Sequence, residues 1–215
     1  MELVQLKTYK DAQKVMVSLS DTSKMPCASW STPAQHCKVG SKLAKTPGTV
    51  CHGCYALKGM YNFPNVKDAL AARELAFENV QWVEAMTTAI RVKTKTVKYF
   101  RWFDSGDLQS VDMLVKIAQI ARNLPEVVFW LPTKEYATVA EYLKTNEKPS
   151  NLTIRISAYT IGQKPPKFFG LPTSTVHAEG QAYGSTCPAP SQGGMCGDCR
   201  NCWNPAVENV SYHKH

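Results

Sequence analysis

Between residues 64 and 160 the apolar positions alternate between helical and strand periods. Val66, Leu70, Phe77, Val80, Trp82, Val83, Met86 and Ile90 recur at short, mostly helical intervals, and Lys67, Asp68, Arg73, Glu74, Glu78 and Glu84 supply a polar face. That period predicts one long amphipathic helix, opened by Pro64 where a missing N–H costs nothing. Residues 97–103 (VKYFRWF) are aromatic and β-branched and predict a strand, closed by the polar turn Asp104-Ser105-Gly106-Asp107. Residues 111–123 (VDMLVKIAQIARN) predict a helix ended by Leu124-Pro125, and residues 127–131 (VVFWL) a strand buried on both faces. Residues 132–145 predict a further helix and residues 152–159 (LTIRISAY) a further strand.

Strand and helix in turn at this spacing define an α/β protein with a parallel sheet of βαβαβ type, either open and doubly wound or part of a (β/α) barrel. Function in such sheets collects on loops at the carboxyl ends of the strands. Here those loops begin with Asp104, Ser105, Gly106 and Asp107, with Pro132-Thr133-Lys134, and with Tyr159-Thr160. Before this core, Val15, Val17 and Leu19 alternate and predict a short strand. Residues 21–63 lose every period at Pro26, Pro33, Pro47, Gly40, Gly48, Gly53 and Gly59, and read as a long irregular loop. Residues 162–187, with Pro165, Pro166, Gly170, Pro172, Gly180 and Gly184, read as a second irregular stretch.

At 215 residues and 44% hydrophobic content the chain reads as one domain, 1–215, made of an N-terminal loop (21–63), an α/β core (64–160) and a C-terminal segment (161–215). No secretion signal and no apolar run of membrane-spanning length occurs, so the expectation is a soluble cytoplasmic protein without a membrane partner. The net charge of +8 is compatible with an anionic partner, nucleic acid included.

Cysteine changes the picture. All eight fall in two groups, both in the irregular ends: Cys27, Cys37, Cys51 and Cys54, then Cys187, Cys196, Cys199 and Cys202. In a reducing cytoplasm such groups are metal ligands rather than disulfides, and metal ligation explains how a long loop is held without an apolar core. Cys51-His52-Gly53-Cys54 puts two sulfurs one tight turn apart. The trio Cys196, Cys199, Cys202 has the even spacing of bacterial ferredoxin-type [4Fe–4S] sites, with Cys187-Pro188 as a distant fourth ligand. One or two [4Fe–4S] clusters is the first reading and zinc the alternative; one joint site drawing sulfurs from both ends also fits.

Other polar residues have structural readings beside functional ones. Asp104 and Asp107 suit a binding turn or a helix cap, and Lys134 suits an anion contact or an exposed helix start. Arg101 and Arg155 lie inside strands, where a buried guanidinium needs partners, Asp104 or Asp107 among them. His52 and His177 are candidate polar contacts, and His213 and His215 read as a loose end. No catalytic residue is identified.

The stretch from Pro47 through Cys51, Cys54 and Ala56, the run Arg101-Trp102-Phe103 with the following DSGD turn, and the ending from Cys196 to Trp203 resemble the bacteriophage gene product 88 family over nearly the whole chain. That resemblance implies a phage origin, a host-cell cytoplasm as workplace, and host or phage proteins as partners. More distantly, Cys37, Cys51 and Cys54 followed by a helix and a strand ending in DSGD resemble radical S-adenosylmethionine enzymes. This second resemblance implies Cys37, Cys51 and Cys54 as ligands of a [4Fe–4S] cluster with one iron open to S-adenosylmethionine. It implies Asp104, Ser105, Gly106 and Asp107 as the cofactor-binding turn. Cys27 separates the outcomes: as a fourth ligand it closes the first site, and a redox, sensory or structural cluster protein holding its clusters in the two four-cysteine groups is the first reading, the radical S-adenosylmethionine-like enzyme the second. A zinc-stabilised nucleic-acid-binding protein is the third reading.

Overall fold

The structure, a computed structural model, describes residues 5–178 and 180–214. The first element among the described residues is a helix, α1 (Tyr9–Met16), which takes in Val15 of the Val15, Val17, Leu19 alternation that predicts a strand, with Val17 as its C-cap. The reason is local: Thr8 and Asp11 form a reciprocal capping box, and Ala12, Val15 and Met16 share the helical face that is buried. Two short strands follow, β1 (Ser20–Asp21) and β2 (Ala28–Trp30), paired antiparallel. Beyond β2 the stretch expected to be wholly irregular contains a six-residue helix, α2 (Lys38–Leu43), among tight 3₁₀ turns.

The long helix expected from Pro64 is two, α3 (Pro64–Ala76) and α4 (Trp82–Lys93). The chain turns between them, where the Asn79 side chain accepts the Gln81 N–H at 2.9 Å, and Val80 faces solvent. From there the alternation runs as read: β3 (Tyr99–Trp102), α5 (Val111–Asn123), β4 (Val128–Thr133), α6 (Tyr136–Thr145) and β5 (Leu152–Ser157). Beyond β5 three further strands were not anticipated, as β1 and β2 were not: β6 (Thr173–His177), β7 (Ser185–Thr186) and β8 (Asn209–His213). His213 thus belongs to a strand rather than a loose end, while His215 lies outside the described residues.

The eight strands form one sheet in the order β1-β2-β3-β4-β5-β6-β8-β7, parallel throughout except for β1. Its two faces differ. One carries Trp30, Phe100, Trp102, Phe129, Leu131, Leu152, Ile154 and Ile156 into the main core with Trp82, Met86, Ile90, Leu114, Ile117 and Val139 of the helices. The other carries Tyr99, Arg101, Trp130, Thr153 and Arg155, covered by the C-terminal segment through Trp203. Among the described residues no helix is long and apolar enough to cross a membrane.

Candidate metal centre

Cys37 enters the structure from the carboxyl end of β2. The chain leaves Trp30, makes a 3₁₀ turn over Ala34–His36, and starts α2 immediately after Cys37. Buried Glu135, just beyond β4, accepts the Val39 N–H at 2.8 Å and so ties α2 to the carboxyl edge of the sheet. Gly40 leaves room for sulfur: a Cβ there would lie 3.0 Å from the Cys37 Cβ, 3.6 Å from its Sγ and 3.7 Å from the Cys51 Sγ. Two sulfurs therefore flank one small hollow that a side chain would fill.

The loop bearing Cys51 is anchored to the segment after β5. Val50 donates to the Tyr159 carbonyl at 2.8 Å, Ile161 to the Gly48 carbonyl at 2.9 Å, and the Thr49 hydroxyl to the Leu43 carbonyl at 2.6 Å. Cys54 closes the turn, donating its N–H to the Cys51 carbonyl at 3.0 Å, with Gly53 at φ 73°. Burial pushes the Cys37 thiol up to about 12, and the nearby charges of Asp107, Cys51, Cys54 and Glu135 act in the same sense. Burial likewise raises Cys51, with Lys134 acting against the rise. Cys37, Cys51 and Cys54 thus share one neighbourhood with Asp107, Lys134 and Glu135.

Cys27 lies elsewhere. It precedes β2, on the other face of the sheet, and packs with Trp130 and Trp203. Burial pushes it to about 12, and the charges it feels are those of Arg101, Cys196 and Arg200. Cys196 in turn feels Cys187 and Cys199. Cys202 sits 3.1 Å from the Tyr212 hydroxyl, is raised to about 11 by burial, and feels Arg155 and Cys187. The grouping read as four and four is three and five: Cys37, Cys51 and Cys54 on the carboxyl edge, and Cys27 with Cys187, Cys196, Cys199 and Cys202. All eight are free thiols, and among the described residues no three His, Cys, Asp or Glu side chains close on the position of one metal ion.

The DSGD turn forms the adjoining part of the edge. Asp104 accepts hydrogen bonds on one carboxylate oxygen from the Ser29 hydroxyl (2.9 Å) and the Ser31 hydroxyl, and the Tyr55 hydroxyl donates to its carbonyl. Its side chain remains partly exposed. Asp107 is buried and accepts the Leu108 N–H at 2.8 Å, the Thr133 hydroxyl at 2.6 Å and the Lys134 N–H at 2.9 Å. Desolvation lifts its carboxyl to about 6 against those donors. Asp107 therefore braces the turn against β4, and Asp104 is the acid with a side chain open to a ligand.

Neither strand arginine pairs with these acids. Arg101 donates to the Met25 sulfur at 3.1 Å and the Phe103 carbonyl at 3.2 Å while stacking on Trp130, and Arg155 is bound by carbonyls alone. The His52 ring meets the Ala44 carbonyl at 3.2 Å, and His177 meets the Ser211 hydroxyl at 2.7 Å. Glu135 and the Tyr55 hydroxyl are site groups that sequence reasoning passed over. An acid directly after Thr133-Lys134 at a strand's end was the available signal for the first.

The raised thiols give the metal-free chain an alkaline limit. A thiol with a folded pKa above its unfolded value of 9.0 binds its proton more tightly when folded. The stability it contributes is intact below pH 9 and is lost as pH rises toward 11 to 12. The unfolding free energy of the metal-free protein, read from denaturant titrations, should fall between pH 8 and 10 by roughly 1 kcal/mol for each of Cys27, Cys37 and Cys202. A flat profile would contradict the burial of these sulfurs.

Fold and edge together define a mostly parallel α/β protein whose carboxyl edge gathers three thiols beside an acidic turn. The chain belongs to the gene product 88 family, whose model matches residues 3–205, and bacteriophage origin follows from that membership. Neither the curated proteins nor the solved structures compared with it give a match.

Proposed function

We propose that this protein is an iron–sulfur enzyme of the radical S-adenosylmethionine type, with Cys37, Cys51 and Cys54 holding its [4Fe–4S] cluster. The observation that carries the reading is the separation of Cys27 from the other three, which leaves the edge site with three thiols rather than four. A cluster held by three thiolates keeps one iron free for S-adenosylmethionine and can supply it an electron. The donor set fits: Cys37, Cys51 and Cys54 are free thiols, Cys37 and Cys51 flank one hollow at Gly40, and iron binding would displace their protons. Asp104 is the side chain suited to the cofactor's ammonium group, and Ser29, Ser31 and Tyr55 hold it in position. Ser105 and Gly106 shape the turn, and Asp107 fastens it to β4.

In this reading the sheet is the wall of a partial (β/α) barrel, its helices outside and its C-terminal cysteine-rich segment inside. Cys27, Cys187, Cys196, Cys199 and Cys202 then form a second, closed cluster site with more sulfurs than four irons need. The workplace is the host cytoplasm.

The test is anaerobic purification of wild type, Cys37→Ala and Cys27→Ala, with iron, sulfide and zinc quantified and EPR recorded with and without S-adenosylmethionine. Wild type should carry about eight irons, as two [4Fe–4S] sites require. Cys37→Ala should lose about half of them and the cofactor-induced change in the EPR signal, while Cys27→Ala should keep that change. Iron with no response to the cofactor in wild type, or loss of the response in Cys27→Ala, would return the protein to a closed redox or structural cluster. Zinc in place of iron would sink both.

A further inference from the structure

Between Asp21 and Asp68 the chain contains no acidic residue at all, yet it contains Lys24, Lys38, Lys42, Lys45, Lys58 and Lys67. This is the stretch that holds all three edge cysteines. All six lysines are exposed. The ion pairs among the described residues engage Lys14, His36, Lys93, Lys116 and Lys144, and none of these six. Lys38, Lys42 and Lys45 are spaced to share one side of α2 and the turn that follows it. Lys58 reaches back over the cysteine turn, its Nζ 3.3 Å from where a Gly53 Cβ would stand.

Beside these cations is a second feature. Tyr55, Met60 and Phe63 are 59%, 72% and 56% exposed, and the Tyr55 and Tyr61 rings meet edge to face at 5.8 Å. Apolar side chains of this size left facing water are costly. A run of unpaired lysines interleaved with exposed aromatic faces matches a ligand with regularly spaced negative charges and flat apolar faces between them. Unstacked nucleotides are such a ligand: phosphates meet the lysines and bases stack on the rings. A duplex satisfies only the lysines, because its bases are already stacked.

We propose that the segment from Lys38 to Phe63 binds single-stranded nucleic acid and presents it at the three-cysteine edge. The proposal rests on the enzyme reading for what happens to the strand and is independent of it for binding. The strand lies along the lysine side of α2 and turns over Lys58 onto Tyr55 and Phe63, which brings a nucleotide beside Cys54 and Asp104.

The test uses the full-length protein as purified and fluorescein-labelled 20-mers, DNA and RNA, single-stranded and duplex, read by anisotropy over a range of salt. The variants are a site triple, Lys38→Glu with Lys42→Glu and Lys45→Glu, and a control triple, Lys7→Glu with Lys10→Glu and Lys95→Glu, which makes the same change of charge. Phe63→Ala tests stacking. Single strands should bind more tightly than duplex. The site triple should lower the salt slope by about two, at roughly 0.7 per phosphate contact on a single strand, and the control triple should not. Phe63→Ala should weaken binding about tenfold, one stacked base. Equal loss in both triples, equal affinity for duplex, or no binding at low salt would overturn the proposal, as would a Phe63→Ala variant that is folded by circular dichroism and binds normally. Wild type separates the two readings: oligonucleotide binding with no cofactor response leaves this surface standing and removes the enzyme, and a cofactor response with no oligonucleotide binding removes the surface alone.

Discussion

Replacing Arg155 by methionine is expected to release the C-terminal cysteine segment from the sheet and to cost about 3–5 kcal/mol of stability, the range for stripping one side of a buried polar cluster. Arg155 is fully buried on β5. Its Nε donates to the Cys202 carbonyl at 3.3 Å, and its two terminal nitrogens donate to the carbonyls of Thr173 (2.8 Å), Val207 (3.0 Å), Asn201 (3.0 Å) and Asn204 (3.0 Å). Four of these carbonyls belong to one irregular turn that carries Cys202 and Trp203. Only a planar fork with five N–H groups satisfies them all; an ammonium has three donors at a single point. Arg155→Lys should therefore recover only part of the loss. Denaturant midpoints measure the global effect, and proteolysis between residues 187 and 205 measures the local one. A methionine variant as stable as wild type would mean that the carbonyls find water, and that the segment is held by its other ties, such as the Trp203 Nε1 bond to the Phe100 carbonyl at 2.9 Å and the Thr153 hydroxyl bond to the Trp203 carbonyl at 2.7 Å.

Arg155 also shows where sequence reasoning stops. A charged side chain inside a strand announces an unusual environment, and that much is legible. Whether its partner is a carboxylate or a ring of backbone carbonyls depends on how a remote turn folds, and nothing local in the sequence encodes that. The core was readable where period and punctuation agree. α5 begins after Ser110, whose hydroxyl accepts the Met113 N–H at 3.1 Å, and stops before Pro125, so pattern and caps give the same bounds. β6 and β8 escaped because their sequences, TSTVH and NVSYH, are polar. They are buried through side-chain bonds between neighbours, Thr173 to Asn209 at 2.8 Å and Thr175 to Ser211 at 3.2 Å, rather than by an apolar face. That the cysteines cluster was legible, but not which of them share a neighbourhood. Cys27 and Cys37 are near in sequence, yet the three-residue strand β2 stands between them, with Cys27 at its start and Cys37 beyond its carboxyl end. A strand that short has no detectable period, and it alone decides which group Cys27 joins.

The second large effect is expected at Gly106, in the middle of the acidic turn. Gly106 has φ 77°, and a Cβ there would lie 2.1 Å from the Thr32 hydroxyl oxygen, 2.6 Å from its carbonyl oxygen and 2.9 Å from its carbonyl carbon. The hydroxyl could rotate away, but the backbone is held: Thr32 donates its N–H to the Ser105 carbonyl at 3.3 Å, the Ser105 hydroxyl donates to the Thr32 carbonyl at 3.2 Å, and Phe103 donates its N–H to the Trp30 carbonyl at 2.7 Å. Gly106→Ala must then pay about 1–2 kcal/mol for the left-handed backbone and about 1–3 kcal/mol more for the collision. Gly162 provides the control, with φ 76° and no atom within 4 Å of the added carbon, so Gly162→Ala should show the backbone cost alone. The difference between the two denaturation midpoints isolates the contact, and equal midpoints would show that the turn does not lie against Thr32. Lifting the turn also strains the three bonds that Asp107 makes to Leu108, Thr133 and Lys134, and it moves Asp104 away from Ser29 and Ser31. On the proposed enzyme reading, Gly106→Ala should retain the iron assigned to Cys37, Cys51 and Cys54, none of which bonds to the turn, while losing the EPR response to S-adenosylmethionine that this reading assigns to Asp104. Loss of both together would instead make the turn part of the support for the cluster.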